Sequence, residues 1–277
     1  MSEGATYPAT GLVDVDWAGR RVRIEHARVG VDDPRAPTMV FLHEGLGSVS
    51  MWKDFPRRLC EAVGLRGLVF SRPGYGRSTP RAPGERWAPD FMHRQALDLL
   101  PALLAALGVD AATEPPCLFG HSDGGSIALI HAARFPARVA GLVVVAPHIL
   151  VEDVSVASIE RVRDEYAQGD LKRGLARHHD DPDSAFGGWS GAWLDPAFRA
   201  WSIESELASI RCPVLAIQGT DDEYGTLEQV RGIARRVPGT ELLELPGCGH
   251  TPHRDRPEVL IEAVERFVRS RTWAGAR

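Results

Sequence analysis

A serine, a pair of aspartates and two histidines occur in an order that suits nucleophilic catalysis. Ser122 lies in the pentapeptide Gly120-His-Ser-Asp-Gly124, Asp221 and Asp222 follow about a hundred residues later, and His250 and His253 come after them. A serine hydroxyl needs a base to take its proton, and a histidine base needs a carboxylate to orient it. The order serine, acid, histidine therefore predicts a catalytic triad.

The residues around Ser122 predict a sharp turn between a strand and a helix. An apolar run at 116–120 precedes the serine, and a helical pattern at 124–135 follows it and stops before Pro136. Side chains at positions 120 and 124 would collide with neighbouring backbone in such a turn, and both positions are glycine. The turn would expose the Ser122 hydroxyl at the start of a helix, where free N–H groups face a developing negative charge.

The elements that must position these residues are strands alternating with helices. The first two strand-like segments alternate polar and apolar residues, which is typical of a hairpin with one buried face, whereas the later ones are continuously apolar and predict strands covered on both sides. Helical patterns occupy 90–107, 124–135, the region of Leu227–Ile233 and the stretch that begins at Pro257. The strand-like segments are 12–17, 21–26, 38–43, 67–71, 116–120, 139–146, 213–218 and 241–245.

This alternation predicts an α/β protein with a mostly parallel sheet and helices on both of its faces. In such sheets the chemistry gathers at the carboxyl ends of the strands. Functional side chains are therefore expected in the loops after six strand ends: His43, Ser71, Gly120, Ala146, Gln218 and Leu245.

One segment, residues 148–210, shows no buried strand pattern and is predicted to be a helical lid inserted in the core domain. The core would consist of residues 1–147 and 211–277. Trp189, Trp193 and Trp201 in the lid are open to two interpretations: they line an apolar substrate pocket, or they only pack the lid onto the loops below it.

Over nearly its whole length the sequence resembles the α/β-hydrolase superfamily, in its serine-nucleophile, lid-containing branch. The resemblance rests on Gly120-His-Ser-Asp-Gly124, on Gly219 with Asp222, and on the pair Gly249-His250 before the last helix. It implies the α/β-hydrolase fold with an eight-stranded sheet. It also implies Asp222 rather than Asp221 as the acid, and His250 rather than His253 as the base.

The loop His43-Glu44-Gly45-Leu46-Gly47-Ser48 is similar to the H-G-x-G loop of that family. By position, the backbone N–H groups of Gly45 and Asp123 are expected to form the oxyanion hole. Glu44 departs from the usual glycine, and its carboxylate should point away from an oxyanion or pair with a cation. The loop Arg72–Ser78 resembles another glycine-rich loop of the family, and a structural turn is its favoured interpretation.

Composition excludes several other classes of function. The 277 residues carry 32 Lys and Arg against 37 Asp and Glu, a net charge of −5, so no basic surplus points to nucleic acid. No apolar run reaches the length of a membrane span, and the N-terminus lacks a secretory pattern, so a cytoplasmic location is expected. The four cysteines are scattered, and no metal or phosphate-loop motif occurs, so neither a metal nor a cofactor is expected.

These inferences converge on a serine hydrolase that cleaves an ester-type bond of a small, apolar substrate through an acyl-enzyme. Hydrolysis of a lactone, a thioester or a C–C bond of an aromatic ring-cleavage product uses the same constellation, as does perhydrolysis, so the bond type stays open. A receptor that keeps the fold without turnover is the alternative outside enzymes, and the intact triad argues against it. The oligomeric state also stays open.

Overall fold

The computed structural model describes residues 10–271 and contains one eight-stranded sheet in the order β1-β2-β4-β3-β5-β6-β7-β8. The pairs β1–β2 and β2–β4 are antiparallel, and every other pair is parallel, which confirms the predicted mostly parallel sheet. The strands are β1 (Thr10–Trp17), β2 (Arg20–Gly30), β3 (Thr38–Leu42), β4 (Arg66–Phe70), β5 (Cys117–His121), β6 (Gly141–Val145), β7 (Val214–Gly219) and β8 (Glu241–Leu245).

The central strands are apolar without interruption because both of their faces are covered. Every residue of β3, β5, β6 and β7 is buried. Successive side chains of β3 enter different hydrophobic clusters, Met39 and Phe41 on one face of the sheet and Val40 and Leu42 on the other. The chain order in the sheet brings the ends of β3, β5, β6, β7 and β8 to one edge.

Helices cover both faces, as the alternation predicts. The helices are α1 (Phe55–Val63), α2 (Phe91–Arg94), α3 (Leu100–Ala106), α4 (Asp123–Arg134), α5 (Asp153–Gln168), α6 (Asp170–Leu175), α7 (Pro182–Trp193), α8 (Glu228–Arg236), α9 (Pro252–Asp255) and α10 (Pro257–Arg269). On one face α1 packs against α10, and on the other α4 packs against β5 and β6 while α8 packs against β7.

The sequence patterns missed some helical structure. The single helix predicted at 90–107 consists of α2, a π-helical turn at Gln95–Leu99, and α3. Helix α1 was not predicted at all. Helix α7 was not predicted because it is rich in glycine and tryptophan, which conceal the helical period, although Asp181 caps it by accepting from the Ser184 N–H at 2.8 Å.

Helices α5, α6 and α7 all lie in the stretch between β6 and β7 that was predicted to be a lid. The two ends of this stretch meet at a narrow neck, where Leu150 and Ser202 form an isolated antiparallel bridge and the Ile203 N–H donates to the Ile149 carbonyl at 2.8 Å. We call residues 148–210 the helical insert. Within residues 10–271, no helix combines the length and the apolar character needed to cross a bilayer.

Candidate active site

Ser122 occupies the turn between β5 and α4 in a strained backbone conformation. Its φ and ψ are 52° and −120°, an arrangement that L-residues rarely adopt. The turn is possible because of the flanking glycines: a Cβ at Gly120 would lie 2.4 Å from the Gly124 oxygen, and one at Gly124 would lie 2.1 Å from the Leu42 oxygen. Ser122 is 6% exposed and lines a cavity at the carboxyl edge of the sheet.

His250 and Asp222 form a buried pair at the same edge. The loop after β7 carries Asp222 and the loop after β8 carries His250, and the distance from His250 Nδ1 to Asp222 Oδ1 is 2.8 Å. The aspartate is held by two further donors, the Tyr224 N–H at 2.9 Å and Gln218 Nε2 at 3.1 Å. Its carboxylate is therefore fixed from three sides.

The pKa values of this pair move in the directions that an ion pair produces. Burial opposes the ionised form of each group, but the hydrogen bond and the opposite charge outweigh burial. As a result the pKa of Asp222 is lowered and the pKa of His250 is raised from their ordinary values. Glu223 and Glu44 also contribute to the raised pKa of His250.

The alternative acid and base lie elsewhere. Asp221 is exposed, and its carboxylate accepts from the hydroxyl of Thr220 at 3.0 Å. His253 is buried, with its ring 4.8 Å from that of Trp52 and 5.5 Å from that of Phe55. Burial lowers the pKa of His253 well below its usual value. Neither residue lines the cavity that holds Ser122 and His250.

The cavity has a volume of about 190 Å³. The sheet edge supplies its floor, and the helical insert supplies side chains from α5 and α7. Its lining comprises Glu44, Gly45, Leu46, His121, Ser122, Asp123, His148, Ser155, Ile159, Trp189, Trp193, Glu223, Tyr224, His250 and Thr251.

Gly45 and Asp123, the two expected oxyanion-hole residues, both line this cavity. Asp123 is the first residue of α4, where an N–H has no acceptor within the helix. Gly45 lies against the insert so closely that a Cβ there would be 2.1 Å from Trp189 Nε1. The side chain of Asp123 accepts from Trp193 Nε1 at 3.0 Å, and burial raises the pKa of this carboxyl.

Glu44 lies beside the imidazole of His121. Its Oε2 is 3.5 Å from Nδ1 of His121, whose Nε2 donates to the His250 carbonyl at 2.8 Å. Burial disfavours the charged carboxylate, but the interaction with His121 outweighs burial and lowers the pKa of Glu44. Glu44 nevertheless remains part of the cavity lining.

The structure places the three tryptophans of the insert in two different environments. Trp189 and Trp193 line the cavity, but Trp201 does not. Trp201 instead stacks on Phe198 with a ring separation of 5.2 Å and belongs to the larger hydrophobic cluster. For Trp201 the structure therefore favours the second interpretation, in which the tryptophan packs the insert onto the core.

Sequence reasoning missed His148 and Tyr224 as cavity residues. His148 follows β6, and its ring is 4.8 Å from that of Trp193 and 6.1 Å from that of His250. Burial lowers the pKa of His148 to about 3, so this imidazole is neutral, and its buried Nδ1 has no hydrogen-bond partner among the described residues. Its place at the carboxyl end of a strand was the signal that could have found it.

In the part of the chain that the structure describes, no group of three or more His, Cys, Asp or Glu side chains is arranged to hold a metal ion. The acidic and histidine side chains around Ser122 are instead engaged with one another, as the contacts of Asp222 and Glu44 show.

Comparison with known proteins agrees with this geometry. The model of the alpha/beta hydrolase family matches residues 39–263, so the chain belongs to the α/β-hydrolase family. It is 29% identical to a pimeloyl-[acyl-carrier protein] methyl ester esterase of Aromatoleum aromaticum, over 83% of this chain and 98% of that protein. It is 22% identical to a 2-hydroxy-6-oxo-6-phenylhexa-2,4-dienoate hydrolase of Burkholderia cepacia, over 90% and 92%.

Among solved structures, a thermophilic esterase from Thermogutta terrifontis has the same fold. It superposes with a TM-score of 0.69 at 20% identity, covering 95% of this chain and 98% of that one. The family establishes that this protein is a hydrolase, and the relatives and neighbours named here include esterases. The family alone does not specify which bond the protein cleaves or in which substrate.

Proposed function

We propose that this protein is a serine esterase that acts on small, uncharged carboxylic esters through an acyl-enzyme. One observation carries the proposal: the strained Ser122 turn and the His250–Asp222 pair open into a single cavity. The core, residues 1–147 and 211–277, would perform the chemistry, and the helical insert would act as the lid.

The hydrogen bond between the pair assigns the proton on His250. Because the ionised Asp222 carboxylate can only accept, Nδ1 of His250 carries the hydrogen, and Nε2 is left as the base. Nε2 takes the Ser122 proton as the serine oxygen bonds to the ester carbonyl carbon. The raised pKa of His250 suits the imidazolium that forms in this step.

The rest of the cycle follows from the same groups. The carbonyl oxygen becomes an oxyanion, which the N–H groups of Gly45 and Asp123 would stabilise. When the intermediate collapses, the C–O bond to the alcohol breaks and the alcohol takes the proton from His250. Water then attacks the acyl-enzyme with His250 again as the base, which releases the acid and restores Ser122.

Cavity size supports a small substrate. A volume of about 190 Å³ lies below the roughly 300–1,000 Å³ that is typical of drug-sized ligands. Trp189 and Trp193 close the cavity from the insert side, which limits the length of an acyl or alcohol group.

Cavity charge supports an uncharged substrate. Glu44 and Glu223 supply carboxylates to the lining, and the described residues that line it include no lysine or arginine. A second carboxylate brought by a substrate would be desolvated beside like charges without a cationic partner, which is unfavourable. This argues against C–C hydrolysis of a dienoate such as that named for the Burkholderia cepacia relative, because that substrate carries a carboxylate.

The proposed reaction is tested with 4-nitrophenyl acetate. The wild-type protein should release nitrophenolate, and a fluorophosphonate should label it once per chain and abolish turnover. The Ser122→Ala variant should neither turn over nor take the label. A wild-type protein that is folded yet inactive on a panel of small esters would refute the proposal and favour the receptor alternative.

Substrate charge is tested with two methyl esters whose acyl groups have the same shape. Methyl 4-methylpentanoate ends in an isopropyl group, and monomethyl succinate ends in a carboxylate. The neutral ester should have the higher kcat/KM by at least about tenfold. The Glu44→Gln and Glu223→Gln variants should narrow this gap. A wild-type preference for the succinate would contradict the proposed substrate class.

A further inference from the structure

A fully buried arginine lies behind the loop that is expected to bind the oxyanion. Arg72 has a side-chain exposure of 1%, and its Nη2 donates to the Glu44 carbonyl at 2.8 Å. Its Nη1 donates to Gln95 at 3.1 Å, and its guanidinium lies 4.6 Å from the centre of the Tyr75 ring. Burial of a cation is costly, so a role in a surface turn does not explain why the Arg72 guanidinium is buried.

A second donor reaches the same Glu44 carbonyl. His43 Nδ1 lies 2.7 Å from this oxygen, while His43 Nε2 accepts from the Arg72 backbone N–H at 2.9 Å. Because Nε2 accepts, the ring hydrogen is on Nδ1, which therefore donates. Burial and the Arg72 charge lower the pKa of His43 well below its usual value, which keeps the ring in this neutral form.

The geometry of a peptide unit connects these two hydrogen bonds to the cavity. The C=O of Glu44 and the N–H of Gly45 belong to one peptide unit, and in a trans peptide these bonds point in opposite directions. No cis peptide occurs in the described chain. Gly45 lines the cavity whereas Arg72 and His43 do not. Two donors that hold the Glu44 carbonyl on the far side of the loop would therefore keep the Gly45 N–H directed toward the cavity.

The same guanidinium also reaches the other expected oxyanion donor. Arg72 Nη2 is 3.6 Å from Asp123 Oδ2, and the Asp123 side chain is 1% exposed. One buried cation thus contacts both residues whose N–H groups are expected to form the oxyanion hole. The charge additionally polarises the Glu44–Gly45 peptide, which strengthens its N–H as a donor.

We propose that Arg72 is a positioning residue of the oxyanion hole, which aims and polarises the Gly45 N–H through the Glu44 carbonyl. This inference rests on the proposed esterase function. The guanidinium does not touch substrate in this arrangement; it acts through the peptide. Loss of the guanidinium should therefore destabilise the transition state, which carries the oxyanion, more than it weakens binding of the ester.

The test compares Arg72→Gln and Arg72→Lys with Arg66→Gln as the matched control. Arg66 begins β4, the strand that ends two residues before Arg72, and it donates from Nε to a backbone carbonyl, that of Ala36, at 2.6 Å. It does not line the cavity. With 4-nitrophenyl acetate, Arg72→Gln should lower kcat on the order of a hundredfold with little change in KM. Arg72→Lys keeps one donor and the charge, and should recover part of that loss.

Three further measurements separate positioning from a merely structural role. A trifluoromethyl ketone, whose adduct carries an oxyanion, should lose affinity in Arg72→Gln in proportion to kcat/KM, while fluorophosphonate still labels one serine per chain. The acidic limb of the pH–rate profile, which reports His250, should not move.

The inference is overturned if Arg72→Gln keeps kcat within about twofold of wild type, or if only KM changes. It is equally overturned if Arg66→Gln loses as much activity as Arg72→Gln, or if Arg72→Lys shows no recovery although it is folded by circular dichroism. Each of these outcomes requires an active wild-type enzyme. Failure of the esterase proposal is separate, because the wild-type protein would then be inactive.

Discussion

The carboxyl edge of the sheet and the helical insert contribute to the same cavity in different ways. At the sheet edge, Ser122 is bonded through its N–H to Val145 of the neighbouring strand at 2.9 Å, and Asp222 is held by three donors. The insert contributes large side chains such as Trp189 and Trp193, none of which belongs to the proposed triad. Reactive groups thus come from short loops on buried strands, while cavity shape comes from helices.

The insert also braces the loops beneath it. The Ser155 hydroxyl donates to the Tyr224 carbonyl at 2.5 Å, next to the acid loop. His179 accepts from the Gly76 N–H at 2.9 Å, and its other ring nitrogen donates to the Leu46 carbonyl at 2.9 Å. We hypothesise that the sheet edge performs the chemistry and the helical insert selects the substrate, and the following predictions test this division.

Removal of the nucleophile should have the largest effect. Ser122→Ala should lower kcat on the order of a million-fold, because the covalent route is lost while a single hydroxyl contributes little packing. Steady-state kinetics with 4-nitrophenyl acetate and a melting temperature close to that of wild type would establish this. Retention of more than a few per cent of the activity would contradict the acyl-enzyme mechanism.

The two neighbouring aspartates provide a matched pair at the sheet edge. Asp222→Asn should lower kcat by about ten-thousand-fold, because an amide cannot hold His250 in the required tautomer and charge state. Asp221→Asn should change kcat little, since Asp221 is exposed and its carboxylate accepts from the neighbouring Thr220 hydroxyl. A larger loss at 221 than at 222 would reverse the assignment of the acid.

Truncation of tryptophans in the insert should change selectivity rather than chemistry. Trp189→Ala enlarges the cavity, so the ratio of kcat/KM for a bulky apolar ester to that for an acetate ester should rise by about tenfold. Trp201→Ala is the control, because Trp201 packs on Phe198 outside the cavity. It should lower the melting temperature and leave the ratio unchanged. If the ratio of the two kcat/KM values is the same in Trp189→Ala and Trp201→Ala, the insert does not select substrates by size.

The smallest expected effect is a shift in pH dependence. His250 must be neutral to act as a base, and its pKa is raised, so kcat/KM should rise with pH along a limb above the ordinary histidine value. Glu223→Gln removes a negative charge that favours the imidazolium, so the limb should move to lower pH by roughly a few tenths of a unit. Asp221→Asn should leave the limb in place. A shift to higher pH in Glu223→Gln would contradict this electrostatic account.

Several features of the sheet edge could be predicted from local pattern. Continuous apolar runs marked β3, β5, β6 and β7 because strands buried on both faces leave no position for a polar residue. The pattern was weaker in the insert: α7 went unpredicted because its glycines and tryptophans conceal the helical period. Its aromatic content was noticed, but whether each ring faces the cavity or the core could not be inferred.

The sequence by itself predicted the sheet from local periodicity and the Ser122 turn from the glycines that a tight turn requires. It also indicated the family, through motifs that resemble those of known members, and supplied the residue types of the proposed triad. Only the tertiary structure decided that Trp189 lines the cavity while Trp201 does not, that His148 joins it, and that Arg72 contacts the Glu44 carbonyl. The physical reason is that burial and backbone conformation leave a signature in neighbouring residues. Contacts between segments distant in the chain leave none, because they arise only when the sheet and the insert close around one space.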